Sequence, residues 1–253
     1  MNHIDEMINN DGLTGLKTSF EDEGASYRDV NDILDICRRH NLYSTIKIGG
    51  CEAKTNALNC RDLDVKGIVA PMVETPYAFK KFKMMCGQVF KDELPLHDFY
   101  VNIETETAIK NLDKILMLNN GFLKGVVFGR SDIVGSLGLA KDSVDSDEVC
   151  NLIRPALKLA KDNGLTTALG GNLTSKSESF IMTLFSDGLL DKVETRLAIC
   201  TLKHLNDNYE SFIDNAIELE KLVLQKRIDR LQHEMLPWTE RCEAIHSRAS
   251  SSR

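Results

Sequence analysis

The sequence predicts an α/β fold, a TIM (β/α)8 barrel with an extra long C-terminal helix, on three observations. Short apolar runs end seven times in polar or glycine-rich residues, near positions 22, 50, 72, 104, 132, 171 and 196. The intervals, 22 to 39 residues, suit one strand and one helix with their turns. The chain's 253 residues are the size of one such barrel. A doubly wound open sheet is the alternative, but no GxGxxG follows the first strand.

In order, residues 1–12 read as a lead helix ending at Asp11-Gly12, and 13–20 as a strand running into the acidic cluster Glu21-Asp22-Glu23. Ser26 caps a helix with Val30, Ile33, Leu34 and Cys37 on one face. Strands follow at 45–48, ending in Gly49-Gly50, and at 67–69, running into Ala70-Pro71-Met72; Thr75-Pro76 opens the next helix. A strand at 99–103, a helix at 107–118 with Ala108, Ile109, Leu112, Ile115 and Leu116 at helical spacing, and a strand at 125–128 form one βαβ unit. A helix over 148–163, a strand over 166–169 ending in Gly170-Gly171, a helix over 176–185 and a short strand over Lys192–Glu194 complete the pattern. The eighth strand lies within residues 1–12 or in a segment that reads as something else. Residues 1–208 thus make the barrel, 209–236 a charged helix that Pro237-Trp238 ends, and 237–253 a tail, disordered from 247.

Net charge is −7 with acids and bases interspersed, which speaks against a nucleic-acid surface. The first 20 residues have no apolar core of a leader, and no apolar run is long enough to cross a bilayer. A soluble, cytoplasmic protein is expected. Seven cysteines, an odd number without a CxxC pair, read as free thiols in a reducing compartment.

The chemistry concentrates in residues 98–138. Glu104 and Asp132 stand at or just past the carboxyl ends of two strands that should be parallel neighbours, about 4.8 Å apart. Two carboxylates so placed suit a hard divalent cation, Mg²⁺ or Mn²⁺, with positions left for water and substrate. Their other reading is as solvated loop acids or helix caps.

The runs IVAPMVETPYA, VNIETETAIKNLDKIL and VVFGRSDIVGSLG resemble the HpcH/HpaI aldolase and citrate lyase β-subunit family, over about residues 13–196. The resemblance implies a phosphoenolpyruvate/pyruvate-type barrel in which Glu104 and Asp132 bind the metal that chelates a 2-keto acid or acyl unit. It also implies making or breaking a carbon–carbon bond beside that carbonyl, by retro-aldol or Claisen chemistry. Two departures stand out. The segment SFEDEG offers Glu21-Asp22, nearer the citrate-lyase branch than the aldolases' acid-and-histidine pattern, and none of the six histidines falls at a strand's carboxyl end. Lys47 stands where the family usually has an arginine, a point charge in place of a bidentate fork.

Lys47, Glu21 and Asp22 are therefore the catalytic candidates. Lys47 would stabilise an enolate oxygen, with a salt-bridged lysine as the plain reading. Glu21 and Asp22 would orient metal-bound water or act as the base, against a helix-capping loop. Gly49, Gly50, Gly170 and Gly171 would bring backbone amides to a ligand anion, Arg130 and Ser131 would line the pocket, and Met72 would form a wall. The expectation is a Mg²⁺- or Mn²⁺-dependent carbon–carbon lyase acting on a 2-keto acid or acyl substrate through a metal-stabilised enolate. Its alternatives are a keto-acid-binding barrel without turnover and a Schiff-base aldolase using Lys47. Along 209–236, Ile217, Leu224, Ile228, Leu231 and Met235 make a seam spaced seven, four, three and four residues apart, which docks on the barrel or on a partner subunit. The resembling family uses its C-terminal helices in subunit contacts, so the resemblance implies a homo-oligomer.

Overall fold

The computed structural model describes residues 2–21, 23–205 and 208–251. Helix α1 (Asn2–Asn10) leads into β1 (Leu13–Ser19). There follow α2 (Tyr27–His40), β2 (Tyr43–Lys47), α3 (Lys54–Asp62), β3 (Gly67–Ala70), α4 (Pro76–Phe90) and β4 (Asp98–Ile103). Two short helices, α5 (Glu106–Lys110) and α6 (Leu112–Leu116), precede β5 (Leu123–Gly129) and α7 (Arg130–Ser136). The chain continues through α8 (Asp147–Asp162), β6 (Thr166–Gly170), α9 (Glu178–Ser186), β7 (Lys192–Glu194), β8 (Ala198–Thr201) and α10 (Tyr209–Ser251).

The strands close a barrel in sequence order, β1 to β8, and β1 to β7 are parallel. β3 is buried throughout, as a parallel strand covered on both faces must be. Local chemistry sets the helix starts. Ser26 and Asp29 form a capping box on α2, and Thr75, with Pro76 at the first position, caps α4. Between α4 and the barrel, Phe82, Phe90, Phe99 and Phe122 pack with ring centroids 4.7–6.2 Å apart, three edge-on pairs and one stacked. Truncating a ring of this kind to alanine costs about 3–5 kcal/mol. The barrel interior is partly polar: Tyr43 donates to Asp98 at 2.7 Å and lies 3.3 Å from the Tyr100 hydroxyl.

Three segments differ from the sequence reading. The eighth strand is neither in residues 1–12 nor parallel. Ala198–Thr201 pairs antiparallel with both β7 and β1, after a tight turn in which the Thr195 hydroxyl accepts from the Ala198 and Leu197 amides. Arg196 is therefore the middle of a hairpin, and so short a turn leaves no polar stretch to mark the new strand. The helix expected over 107–118 breaks at Asn111, whose side-chain amide is spent on the Glu74 carbonyl. Finally, α10 does not stop at Pro237-Trp238 but runs to Ser251. A proline inside a helix removes one hydrogen bond and costs about 3 kcal/mol. Here the flanking run is rich in helix formers, and the Thr239 hydroxyl donates to the Met235 carbonyl.

The first turns of α10 bury Tyr209, Phe212, Ile213, Ala216 and Leu219 in the core. Farther on, Arg230 pairs with Asp29 and Asp32, Arg227 with Asp29, and Glu234 with Arg28, which ties α10 to the first turn of α2. All seven cysteines are free, and burial pushes the thiols of Cys37, Cys60 and Cys200 up to about 12. No helix of the described residues is long and apolar enough to cross a membrane.

Candidate active site

Parallel strands end their chains on one face of a barrel, so the polar ends of β1 to β7 gather around one mouth. A cavity of about 1030 Å³ opens there. Lys47, Glu104, Ser131, Asp132, Gly170 and Gly171 line it.

Glu104 follows directly on β4 and Asp132 lies in the first turn of α7, directly after β5. These strands are neighbours, in register at Ile103 and Phe128, so the two acids share one wall. Asp132 is exposed, whereas Glu104 is only 4% exposed. Its Oε1 accepts the Met72 amide at 3.0 Å and its Oε2 the Asn102 side-chain amide at 3.0 Å. Burial pushes the Glu104 carboxyl above the ordinary range. The Met72 amide, the Lys47 charge and Asn102 pull it back, and the Asp132 charge adds to the rise. Gly129 makes room for this carboxylate, since a Cβ there would stand 2.8 Å from Oε2.

Lys47 closes β2, with its Nζ 2.6 Å from Glu21 Oε2. Glu21 is fixed in turn by its amide's bond to the Ser19 hydroxyl. Asp22 lies outside the described residues. Lys17 and Glu194 form a second pair on the cavity wall at 2.9 Å, and Thr18 donates to Glu23 at 2.8 Å. Ile213, Ile217 and Glu220 of α10 also reach the cavity.

Other sequence candidates do different work. The Gly49 amide donates to Asn56, and neither Gly49 nor Gly50 lines the cavity. Met72 acts through its backbone: a left-handed φ of 51° accompanies the amide's bond to Glu104, while its side chain, 47% exposed, is not on the cavity wall. Arg130 is fully buried and absent from the wall. None of the six histidines lines the cavity. Glu194 and Arg196, at the last parallel strand, line the cavity as their place at a strand end suggests, with Glu194 paired to Lys17. Sequence reasoning missed Lys17 and Asn102 as wall residues. For Asn102 a signal existed, since it stands two residues before Glu104 and alternate strand residues share a face.

Glu104 and Asp132 fit a hard divalent cation. Both offer carboxylate oxygens to one cavity, and a cation would offset the cost of holding Glu104 charged while buried. Among the described residues no three acidic, histidine or cysteine side chains converge on one point. A metal here would take two protein side chains and draw its remaining donors from water and substrate.

Solved structures with the same architecture include an HpcH/HpaI aldolase/citrate lyase family protein from Burkholderia cenocepacia J2315, at 13% identity and TM-score 0.57, covering 77% of this chain and 92% of that one. The citrate synthase SbnG aligns at 10% identity and TM-score 0.60, over 89% and 98%. Macrophomate synthase aligns at 14% and 0.54, over 72% and 78%. At such identities these likenesses establish the barrel alone. No curated protein matches the sequence. Residues 20–175, from the end of β1 past β6, match the model of one family and take in both acids of the shared wall. On that match the chain belongs to the HpcH/HpaI aldolase/citrate lyase family.

Proposed function

We propose that the chain is a carbon–carbon lyase that works on a 2-keto acid or acyl substrate through an enolate, with Mg²⁺ or Mn²⁺ held by Glu104 and Asp132. The observation that carries this reading is the buried Glu104 carboxylate beside Asp132 on a cavity that also holds Lys47. When bound, the metal supplies Lewis-acid stabilisation of the enolate oxygen. Lys47 adds fixed positive charge near Glu104, where negative charge develops on the substrate. Glu21, off the cavity wall but held at Oε2 by Lys47, which is on it, is the carboxylate we assign to take or return a proton, a role no histidine fills. Ser131 and Gly170-Gly171 border the substrate on the β5 and β6 side. The Lys47–Glu21 ion pair favours a lysine that acts as a charge over one that forms a Schiff base, since an ammonium is not a nucleophile.

The test is proton exchange of the pyruvate methyl group in deuterated water with Mn²⁺ present. Exchange that a chelator abolishes supports the lyase. Metal and pyruvate binding without exchange favours a keto-acid-binding barrel, the reading that the histidine-free cavity leaves standing. Borohydride trapping of a pyruvate adduct on Lys47 would replace both with Schiff-base chemistry.

The same reading extends to assembly as a homo-oligomer. The α10 residues Ile217, Leu224, Ile228, Leu231 and Met235 are 45–62% exposed. Their seven, four, three and four spacing is that of a seam one helix presents to another, and a second copy of α10 is the partner it fits.

A further inference from the structure

We infer that Arg130 is a positioning residue: its guanidinium clamps the β5–α7 turn to the Gly170–Gly171 loop and so fixes where Asp132 stands. The inference rests on the proposed role of Asp132 as a metal ligand. Arg130 opens α7, two residues before Asp132, and none of its surface meets solvent. Nε donates to the Gly170 carbonyl at 3.2 Å and Nη2 to the Gly171 carbonyl at 2.9 Å. Nη1 pairs with Asp145, whose other oxygen accepts the Ser177 hydroxyl at 2.7 Å. The guanidinium also lies 5.7 Å from the centre of the Phe180 ring. Each nitrogen thus reaches a different group of the β6 side of the barrel or of the segment between α7 and α8.

Two further observations make this more than a buried ion pair. The first residue before α7, Gly129, offers no side-chain cap, so the turn that carries Asp132 lacks the usual anchor of a helix start. The loop it is clamped to already touches it. Gly171 has a left-handed φ of +82°, and a Cβ there would stand 2.5 Å from the Ser131 nitrogen and 2.8 Å from that of Arg130. Contact sets how near the two segments come, and the fork sets their direction. Lysine, with one nitrogen, spans neither two successive carbonyls nor a carboxylate besides.

The experiment compares wild type, Arg130→Lys, Asp132→Asn and the double variant by calorimetric titration with Mn²⁺, at a temperature where circular dichroism shows each folded. Arg130→Lys should lower Mn²⁺ affinity by about tenfold or more, as loss of a ligand's support does. In the Asp132→Asn background the same change should cost about twofold or less, because the ligand it positions is gone. Unchanged affinity with only a lower melting temperature, or an equal loss in both backgrounds, overturns the inference. Should Arg130→Lys not fold, Asp145→Asn loosens the same clamp, and the same two outcomes decide. Hydrogen exchange gives a readout without metal: residues 130–136 and 170–173 should lose protection together in the clamp variant. Wild-type protein that ignores Mn²⁺ defeats the metal reading by itself, and the exchange pattern then judges the clamp. Protection lost evenly over the molecule would overturn it.

Discussion

At the residue scale, Glu104 and Asp132 are chemically alike and physically opposite. Glu104 is buried, and its charge is disfavoured by burial and by its neighbour, while Asp132 meets water. Glu104→Gln and Asp132→Asn should each remove most Mg²⁺ or Mn²⁺ affinity in calorimetric titration, and wild-type affinity in both would sink the metal site. Their effects on folding should differ. Glu104→Gln removes a charge held at a cost but turns one acceptor toward the Met72 or Asn102 amide into a donor, and should lower the melting temperature, whereas Asp132→Asn should leave it unchanged. Gly129→Ala probes the same carboxylate from outside, since the new methyl meets Oε2 at 2.8 Å. Overpacking of this kind costs about 1–3 kcal/mol. The variant should fold, bind Mn²⁺ about tenfold more weakly and lose stability by that amount in denaturant titration.

At the element scale, Asp29 joins α10 to α2. Burial by itself would raise its carboxyl. The side chain and backbone of Ser26, then Arg230 and Arg227, outweigh that and hold it below its ordinary 3.8. A depressed carboxyl contributes stability that is present above 3.8 and lost as pH falls through the lower folded value. Wild type should therefore exceed Asp29→Asn by about 1–3 kcal/mol near neutrality, the scale of charged hydrogen bonds. The difference should shrink as thermal melts are taken from roughly pH 5 to pH 3. A gap that stays constant over that window would show that Asp29 acts through its shape alone.

Also at this scale, sequence and structure agree where one local signal dominates. Ser26, Thr75 and Pro76 announced their helices, and uninterrupted apolar runs announced the parallel strands. Glu104 and Asp132 were legible because a strand end is a position that sequence marks. What escaped notice depended on partners far along the chain. Lys17 meets Glu194 177 residues away, and Arg130 reads as a pocket arginine until Gly170, Gly171 and Asp145 surround it. β8 was hidden by a three-residue turn, and Pro237 carried a stop signal that an exposed helix outweighed.

At the scale of the whole molecule, the exposed seam of α10 should set the assembly. Leaving it in water is costly, at about 25 cal/mol per Å² of apolar surface. If the proposed homo-oligomer forms, replacing Leu224 and Leu231 together by Glu should give smaller species than wild type in light scattering without changing the circular dichroism of the barrel. Wild type already monomeric at micromolar concentration would refute the assembly. The reversed β8 matters on the same scale. Thr14 and Thr201, paired across the seam of the barrel, are 187 residues apart, and Asp11 is held by Asn215. A chain leaving the ribosome exposes the free edge of β1 from early on and cannot cover it until the other seven strands have been made. Unpaired strand edges of this kind invite pairing with other chains. The interval between synthesis of β1 and of β8 is thus when this edge stands open to other chains, and a product that stops short of Ala198 would have a first strand that never finds its last neighbour.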